Sequence, residues 1–76
     1  MNVLYTMDGC SVCARAIHHL NKRDIPYRVI NIFEENSAKK ELKELIGEVY
    51  TPVLVHDEGL SIGRDILEFK DTNSSK

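Results

Sequence analysis

Apolar and polar positions alternate along the 76-residue chain in segments with strand-like and helix-like periods. Val3, Leu4 and Tyr5 form a short continuous apolar run, which is typical of a strand buried on both faces. From about residue 10 to 23, apolar side chains recur at helical spacing, which predicts an amphipathic helix. The members of this stripe are Cys13, Ala16, Ile17 and Leu20.

A second strand is predicted at residues 27–33, which are rich in β-branched and aromatic side chains. Strand, helix and strand within about 30 residues make a βαβ unit, whose two strands lie parallel. Asn36 or Ser37 then provides the N-cap of a second helix, and Gly47 fits its C-terminal cap. We expect the apolar face of this helix to comprise Ala38, Leu42, Leu45 and Ile46.

The remaining segments predict a hairpin and a last helix. Residues 53–56 and 60–62 are strand-like and are joined by a short turn, so they form an antiparallel hairpin. A short helix follows at residues 65–70. The order β-α-β-α-β-β-α predicts an α/β fold with one four-stranded mixed sheet flanked by three helices. We expect one domain at residues 1–70 and a polar tail at residues 71–76.

Composition narrows the class of protein. The chain is 42% hydrophobic and 29% charged, which is typical of a globular domain. A net charge of -2 gives no basic surface for nucleic acid. No apolar run approaches the roughly 20 residues that span a membrane, and the first residues lack the pattern of a signal peptide. We therefore expect a cytoplasmic protein that binds neither nucleic acid nor membrane. We also expect a monomer.

Cys10 and Cys13 lie two residues apart, between the first predicted strand and the first predicted helix. So short a loop restricts the unfolded chain very little, so a disulfide there serves chemistry better than stability. The first turn of a helix has free N–H groups that favour a thiolate. Cys10 is therefore predicted to be the exposed, more acidic nucleophile, and Cys13 the half-buried thiol that resolves the mixed disulfide.

Two structural alternatives remain for this pair. The cysteines could simply pack in the core, or they could form half of a zinc site, which needs two further ligands. His18, His19 and His56 are the only histidines, and we expect all three to be solvated. We therefore expect no metal site.

Pro52 introduces the third predicted strand, where its missing N–H suits a position that faces another group. A cis peptide bond before Pro52 would turn the Thr51 backbone toward an extended substrate. The residues alone favour the commoner trans bond.

Three segments together resemble the glutaredoxin family, within the thioredoxin fold. Residues 5–13 resemble the family's first strand and its Cys-Pro-Tyr-Cys-type motif. Residues 52–54 resemble the strand that begins with a cis-proline, and residues 63–65 the glycine-and-aspartate turn before the last helix. The resemblance extends from Val3 to about Phe69, which is nearly the whole chain.

This resemblance implies roles for individual residues. Cys10 would be the nucleophile, Cys13 the resolving thiol and Pro52 the cis-proline. The backbone at Thr51 would pair with a glutathione or peptide strand. Asp65 would accept a hydrogen bond from the glutathione amino group, and the N–H groups that open the last helix would hold a glutathione carboxylate.

The sequence also departs from the family pattern. Met7 stands where the family commonly has a lysine that binds a glutathione carboxylate, and Tyr50 and Thr51 replace the usual Thr-Val before the proline. Ser61 and Arg64 resemble the NrdH-redoxin branch, whose members are reduced by thioredoxin reductase. The electron donor is therefore left open between glutathione and thioredoxin reductase.

The resulting hypothesis is a dithiol–disulfide oxidoreductase that reduces disulfide-containing proteins or glutathione mixed disulfides. It requires no cofactor, and glutathione is a candidate co-substrate. The alternative is a glutathione-dependent module that binds or carries an iron–sulfur cluster, with Cys10 as a ligand.

Overall fold

The computed structural model describes residues 2–69 and contains seven elements within that range. They are β1 (Val3–Thr6), α1 (Ser11–Lys22), β2 (Arg28–Asn31), α2 (Asn36–Ile46), β3 (Val53–His56), β4 (Gly59–Ile62) and a 3-10 helix (Gly63–Glu68). Residue 70 and the predicted tail at residues 71–76 lie outside the described part of the chain. No helix within residues 2–69 is long and apolar enough to cross a bilayer.

The four strands form one mixed sheet in the order β2-β1-β3-β4. β1 pairs with β2 in parallel, and Thr6 lies opposite Asn31. On its other side β1 pairs with β3 in antiparallel orientation, and Val3 lies opposite Val55. β3 and β4 form the predicted antiparallel hairpin. The four-stranded mixed sheet is thus confirmed, and the carboxyl end of β1 lies between its two neighbours.

β1 is covered on both faces, as its apolar run predicts. Leu4 packs into one buried cluster and Tyr5 into another, because successive side chains of a strand point to opposite faces. The Leu4 cluster contains Ala16, Leu20, Ile25, Leu54 and Ile66, from α1, the segment after it, β3 and the 3-10 helix. The Tyr5 cluster contains Ile32, Ala38, Leu42 and Val53, and α2 provides its outer layer.

The C-terminal end of α1 is a Schellman motif. Asp24 has a left-handed backbone with φ of 57°, and its N–H donates to the Asn21 carbonyl at 3.1 Å. The Ile25 N–H donates to the Leu20 carbonyl at 3.0 Å, and both side chains are buried in the same cluster. This motif turns the chain toward β2 and sets the position of α1 on the sheet.

Three local predictions need correction. The N-cap of α2 is Glu35, because the helix already begins at Asn36, so neither predicted N-cap residue occupies that position. Leu45 is 45% exposed, since it lies at the margin of a narrower stripe than predicted. The last helix has 3-10 geometry and begins at Gly63, two residues before the predicted start.

Candidate functional site

The two cysteines lie where β1 passes into α1. Gly9 has φ of 78° and reverses the chain after β1, which places Cys10 at the N-cap of α1. The Cys10 backbone is extended, and its sulfur accepts a hydrogen bond from the N–H of Cys13 at 3.1 Å. This N–H belongs to the first helical turn, where backbone donors have no partner within the helix. Cys10 thus places a sulfur at the N-cap, where most helices have a side-chain oxygen as the acceptor.

The cysteines differ in burial in the predicted direction, and Cys13 is more deeply buried than predicted. Cys10 is partly exposed, whereas Cys13 is 3% exposed and faces the core. They are joined in a disulfide, with their Cα atoms 5.2 Å apart. In the reduced protein the same Cys13 N–H would favour a Cys10 thiolate over the thiol. Only Cys10 is open to an incoming sulfur.

The loop before β3 forms the second side of the site. The peptide bond between Thr51 and Pro52 is cis, as the family resemblance implies. Pro52 is buried, and the Thr51 hydroxyl donates to the Cys10 sulfur at 3.9 Å. The pairing of β3 with β1 brings this loop to the cysteines, because Val53 lies opposite Tyr5 at the same end of the sheet.

Tyr50 covers the turn that begins the 3-10 helix. Gly63 has φ of 61°, and a Cβ at this position would lie 3.1 Å from the Tyr50 hydroxyl. The Gly63 N–H donates to the Pro52 carbonyl at 2.8 Å, which ties this turn to the cis-proline loop. In the sequence Tyr50 stands out only as a departure from a family pattern, so this contact was not predicted. It depends on tertiary structure, which neither local spacing nor propensity reports.

Asp65 lies in the first turn of the 3-10 helix, two residues after Gly63, and its side chain is exposed. Within residues 2–69 its carboxylate forms no hydrogen bond or ion pair. The fold therefore brings its element next to the cis-proline loop and leaves the carboxylate free to meet solvent. Its role as a binding residue stays a prediction.

A polar contact supports the loop before the cysteines. The Asn31 side-chain amide, at the end of β2, donates to the Asp8 carboxylate at 3.0 Å. The Asn31 side-chain oxygen accepts from the N–H of Phe33 at 2.9 Å. Asn31 thus joins the turn after β1 to the turn after β2. The parallel pairing of these strands was the available signal, because it puts their carboxyl ends side by side.

The histidines differ from the expectation that all are solvated. His18 is exposed, but His19 Nε2 donates to the Phe69 carbonyl at 2.9 Å. His56 Nε2 lies 3.1 Å from the Ser61 hydroxyl, and the His56 ring packs on that of Phe69 with centroids 4.6 Å apart. Among residues 2–69 no group of three or more His, Cys, Asp or Glu side chains is arranged to hold a metal ion. The zinc alternative therefore has no donor set in this part of the chain.

Solved structures of known proteins share this architecture. The NrdH-redoxin of Escherichia coli superposes with a TM-score of 0.79 at 20% identity, over 93% of this chain and 96% of that one. A glutaredoxin from Archaeoglobus fulgidus gives a TM-score of 0.73 at 21% identity, over 82% and 73% of the two chains. Glutaredoxin 2 of Salmonella typhimurium, solved in complex with glutathione, gives 0.78 at 23% identity, over 100% and 35%. These likenesses show the thioredoxin-like fold.

Sequence comparisons extend from the fold to the family. The global transcriptional regulator Spx of Listeria innocua is 41% identical over 46 residues, which are 60% of this chain and 35% of Spx. The chain thus spans about a third of the length of the curated relatives it matches. The family model for glutaredoxin matches residues 2–60, which include both cysteines and the cis-proline. The chain therefore belongs to the glutaredoxin family, and its Cys-x-x-Cys pair is Cys10 and Cys13.

Proposed function

We propose that this chain is a thiol–disulfide oxidoreductase that reduces protein disulfides and glutathione mixed disulfides by two-thiol exchange, with Cys10 as nucleophile and Cys13 as resolving thiol. One observation carries the proposal: the partly exposed Cys10 sulfur accepts the first-turn N–H of Cys13, while the Cys13 side chain is buried. A donor at that position favours the thiolate, which is the form that attacks a disulfide. The burial of Cys13 reserves it for an intramolecular step.

The first step joins the substrate to the protein through one of its sulfurs. The Cys10 thiolate attacks a sulfur of the substrate disulfide, the substrate S–S bond breaks, and the other substrate sulfur leaves as a thiolate. A mixed disulfide between Cys10 and the substrate results. The Thr51 hydroxyl, 3.9 Å from the Cys10 sulfur, is placed to donate to that sulfur while it carries negative charge.

The second step releases the substrate. The Cys13 thiolate attacks the Cys10 sulfur, the mixed disulfide breaks, and the second substrate thiolate leaves. The substrate has then gained two electrons and two protons overall, and the protein holds the Cys10–Cys13 disulfide. The pairing of Cys10 with Cys13 in the structure supports this step, since the two sulfurs are within bonding reach of each other. An external thiol donor must then reduce the disulfide.

The surface beside the cysteines supports a backbone-paired substrate. The Thr51–Pro52 loop lies beside Cys10, and an extended peptide or glutathione could add its backbone there. Asp65 is proposed to accept from the glutathione amino group, since its carboxylate is exposed on the neighbouring turn. Met7, 37% exposed, supplies no cation at the position three residues before Cys10. This favours protein disulfides over glutathione mixed disulfides as substrates.

Trapping the mixed disulfide tests the roles of the two cysteines. Reduced Cys13→Ser is mixed with a peptide disulfide, and the intact mass is measured after acid quenching. We expect one peptide to be attached through Cys10, whereas Cys10→Ser accumulates no adduct. An adduct on Cys13 in the Cys10→Ser variant, formed at the wild-type rate, would assign the attack to the wrong sulfur and refute the proposal.

A parallel assay identifies the electron donor. Wild-type protein reduces a small mixed disulfide in one reaction with glutathione and its reductase, and in another with thioredoxin reductase. Turnover with glutathione supports a glutathione site at Thr51, Pro52 and Asp65. Turnover with thioredoxin reductase alone would remove glutathione from the proposal and retain the two-thiol exchange.

A further inference from the structure

A cleft separates the outer side of α1 from the 3-10 helix. It has a volume of about 450 Å³, and we call it the α1 cleft. Its lining residues are Ala14, Arg15, His18, His19, Lys22 and Leu67. Ala14 and Leu67 provide apolar surface, and the charged and imidazole side chains surround it. The cleft begins directly after Cys13, so it adjoins the redox site and continues away from it along α1.

The charges around the α1 cleft are of one sign. α1 contains no aspartate or glutamate, although the whole chain has a net charge of -2. Within residues 2–69, Arg15 and Lys22 form no ion pair with any carboxylate. Glu68, next to Leu67, is exposed and does not pair with them either. Two unpaired cations beside apolar surface favour an occupant that is both acidic and apolar.

The spacing of the cations limits the shape of the occupant. Arg15 and Lys22 are separated by two helical turns, or about 10 Å along the axis at about 1.5 Å per residue. In an extended segment with polyproline II geometry, residues three apart point to the same side and span about 9 Å at about 3.1 Å per residue. In that conformation two carboxylates that flank two apolar residues would reach both cations, and one of the intervening apolar side chains would lie against the surface of Ala14 and Leu67.

We propose that the α1 cleft is a docking site for a protein partner that presents an extended acidic–apolar–apolar–acidic segment. The partner would be a protein that exchanges disulfides with Cys10, and in this respect alone the inference rests on the proposed function. Docking beside Cys13 holds the partner's disulfide near Cys10 and raises its effective concentration there. The cleft would thus select protein substrates by a contact outside the reacting sulfurs.

The test uses cysteine-free peptides, so it does not depend on redox activity. Oxidised protein is titrated with a peptide that contains two glutamates separated by two leucines, and backbone nitrogen–proton spectra are recorded. We expect saturable shifts in residues 14–22 and at Leu67, with a Kd below about 1 mM. A peptide with lysines in place of the glutamates should not bind. Equal binding of both peptides, no saturation, or shifts confined to other residues would overturn the proposal.

Variants locate the binding surface. We expect Arg15→Glu with Lys22→Glu to weaken binding of the acidic peptide at least about five-fold, because two attractions become repulsions. Leu67→Ala should weaken it at least about three-fold through lost apolar contact. The matched control is Lys40→Glu with Lys43→Glu, which makes the same charge change on exposed positions of α2. A control that weakens binding as much as the cleft variant would refute a local site.

Two further measurements separate the remaining outcomes. Turnover of a small disulfide should be unchanged in the double Arg15 and Lys22 variant, because that substrate is too small to reach the cleft. If the variant loses this turnover equally, the residues act on the chemistry and the docking proposal fails. Concentration-dependent shifts of the cleft residues without peptide would assign the surface to a second copy of the chain, which also overturns it.

Discussion

α1 and α2 are alike as helices and differ at their first residues. They contain 12 and 11 residues, lie on opposite faces of the sheet, and each buries one apolar stripe against β1. α1 begins after Cys10, whose sulfur accepts a first-turn N–H, whereas α2 begins after Glu35, whose side chain caps nothing. Packing alone therefore does not produce a site. The chemistry comes from the side chain placed at the helix start.

The outer faces of the two helices differ in the same way. α2 mixes Lys39, Lys40, Glu41, Lys43 and Glu44, so its charges nearly cancel. α1 has only cationic and neutral side chains there, next to an apolar cleft. A mixed face mainly keeps a helix soluble, whereas a face of one sign attracts a particular kind of partner. The charge pattern of the outer face thus distinguishes a helix that only packs on the sheet from a helix that can bind a partner.

The largest difference in turnover is expected when the N-cap residue of each helix is replaced by alanine. Cys10→Ala should abolish turnover of a small disulfide, because the attacking sulfur is lost. Glu35→Ala should retain turnover, because its side chain forms no cap hydrogen bond. Both are measured in one steady-state assay, with the fold checked by circular dichroism. Residual turnover in Cys10→Ala would show that another group attacks.

Truncating the buried stripe should affect both helices similarly. Leu20 and Leu42 are each fully buried, one under α1 and the other under α2. We expect Leu20→Ala and Leu42→Ala each to lower the free energy of unfolding by about 2–5 kcal/mol. The control Leu45→Ala, at a position 45% exposed, should cost less than about 1 kcal/mol. Urea unfolding measures all three, and a costly Leu45→Ala would contradict the observed burial.

A smaller effect on activity is expected from a change in the loop before β3. Thr51→Val removes the hydroxyl that lies 3.9 Å from the Cys10 sulfur and keeps the side-chain shape. We expect kcat/KM for a small disulfide to fall about three-fold, as for a weak hydrogen bond of roughly 0.6 kcal/mol. The matched control Ser37→Ala, which removes an exposed hydroxyl in α2, should leave the rate unchanged. An unchanged rate in Thr51→Val would remove this hydroxyl from the mechanism.

The smallest expected effect is a pH-dependent change in stability that comes from a residue on the α2 side of the sheet. It appears only at alkaline pH. Burial raises the pKa of Tyr5, and the Glu41 carboxylate, which accepts from its hydroxyl at 3.0 Å, raises it further. Above the ordinary tyrosine pKa of about 10, the unfolded chain loses this proton while the folded chain keeps it. The stability that this group contributes is therefore complete below that pH and declines as the pH rises through the window up to the folded pKa.

Tyr5→Phe tests this linkage. The variant should unfold at slightly lower urea than wild type at neutral pH, and the gap should narrow as the pH rises above about 10. The two proteins differ only at Tyr5, so the difference between their stabilities isolates this residue. A gap that stays constant or widens with pH would show that the Tyr5 proton is not held by the fold.

The sequence predicted most of the fold because its elements have strong local patterns. The continuous run at β1 and the stripe through Cys13, Ala16 and Leu20 each match a burial pattern that the structure shows. The local predictions that were wrong concern positions whose geometry depends on neighbouring residues. Glu35 occupies the N-cap position of α2, without a side-chain cap hydrogen bond, because the helix begins earlier than its polar side chains suggest. The last turn is tightened to 3-10 geometry where Gly63 bonds to the Pro52 carbonyl.

The site was predictable in part for the same reason. The spacing of Cys10 and Cys13 predicts a redox pair. The helical stripe predicts which of the two is exposed and which is buried. The contacts of Tyr50 with Gly63 and of Asn31 with Asp8 join residues far apart in sequence. His56 was expected in solvent and instead packs on Phe69, because the 3-10 helix returns the chain over the end of β3. No local pattern contains that information.

The strand order has a consequence for synthesis. β1 pairs on one side with β2, which follows it closely, and on the other with β3, where Val3 meets Val55. A ribosome releases the cysteines early, while Thr51 and Pro52 emerge only after α2. A nascent chain therefore displays both thiols for some time before the loop that flanks them exists. During that interval the thiols lack the flanking loop, so any selectivity that this loop provides is acquired last.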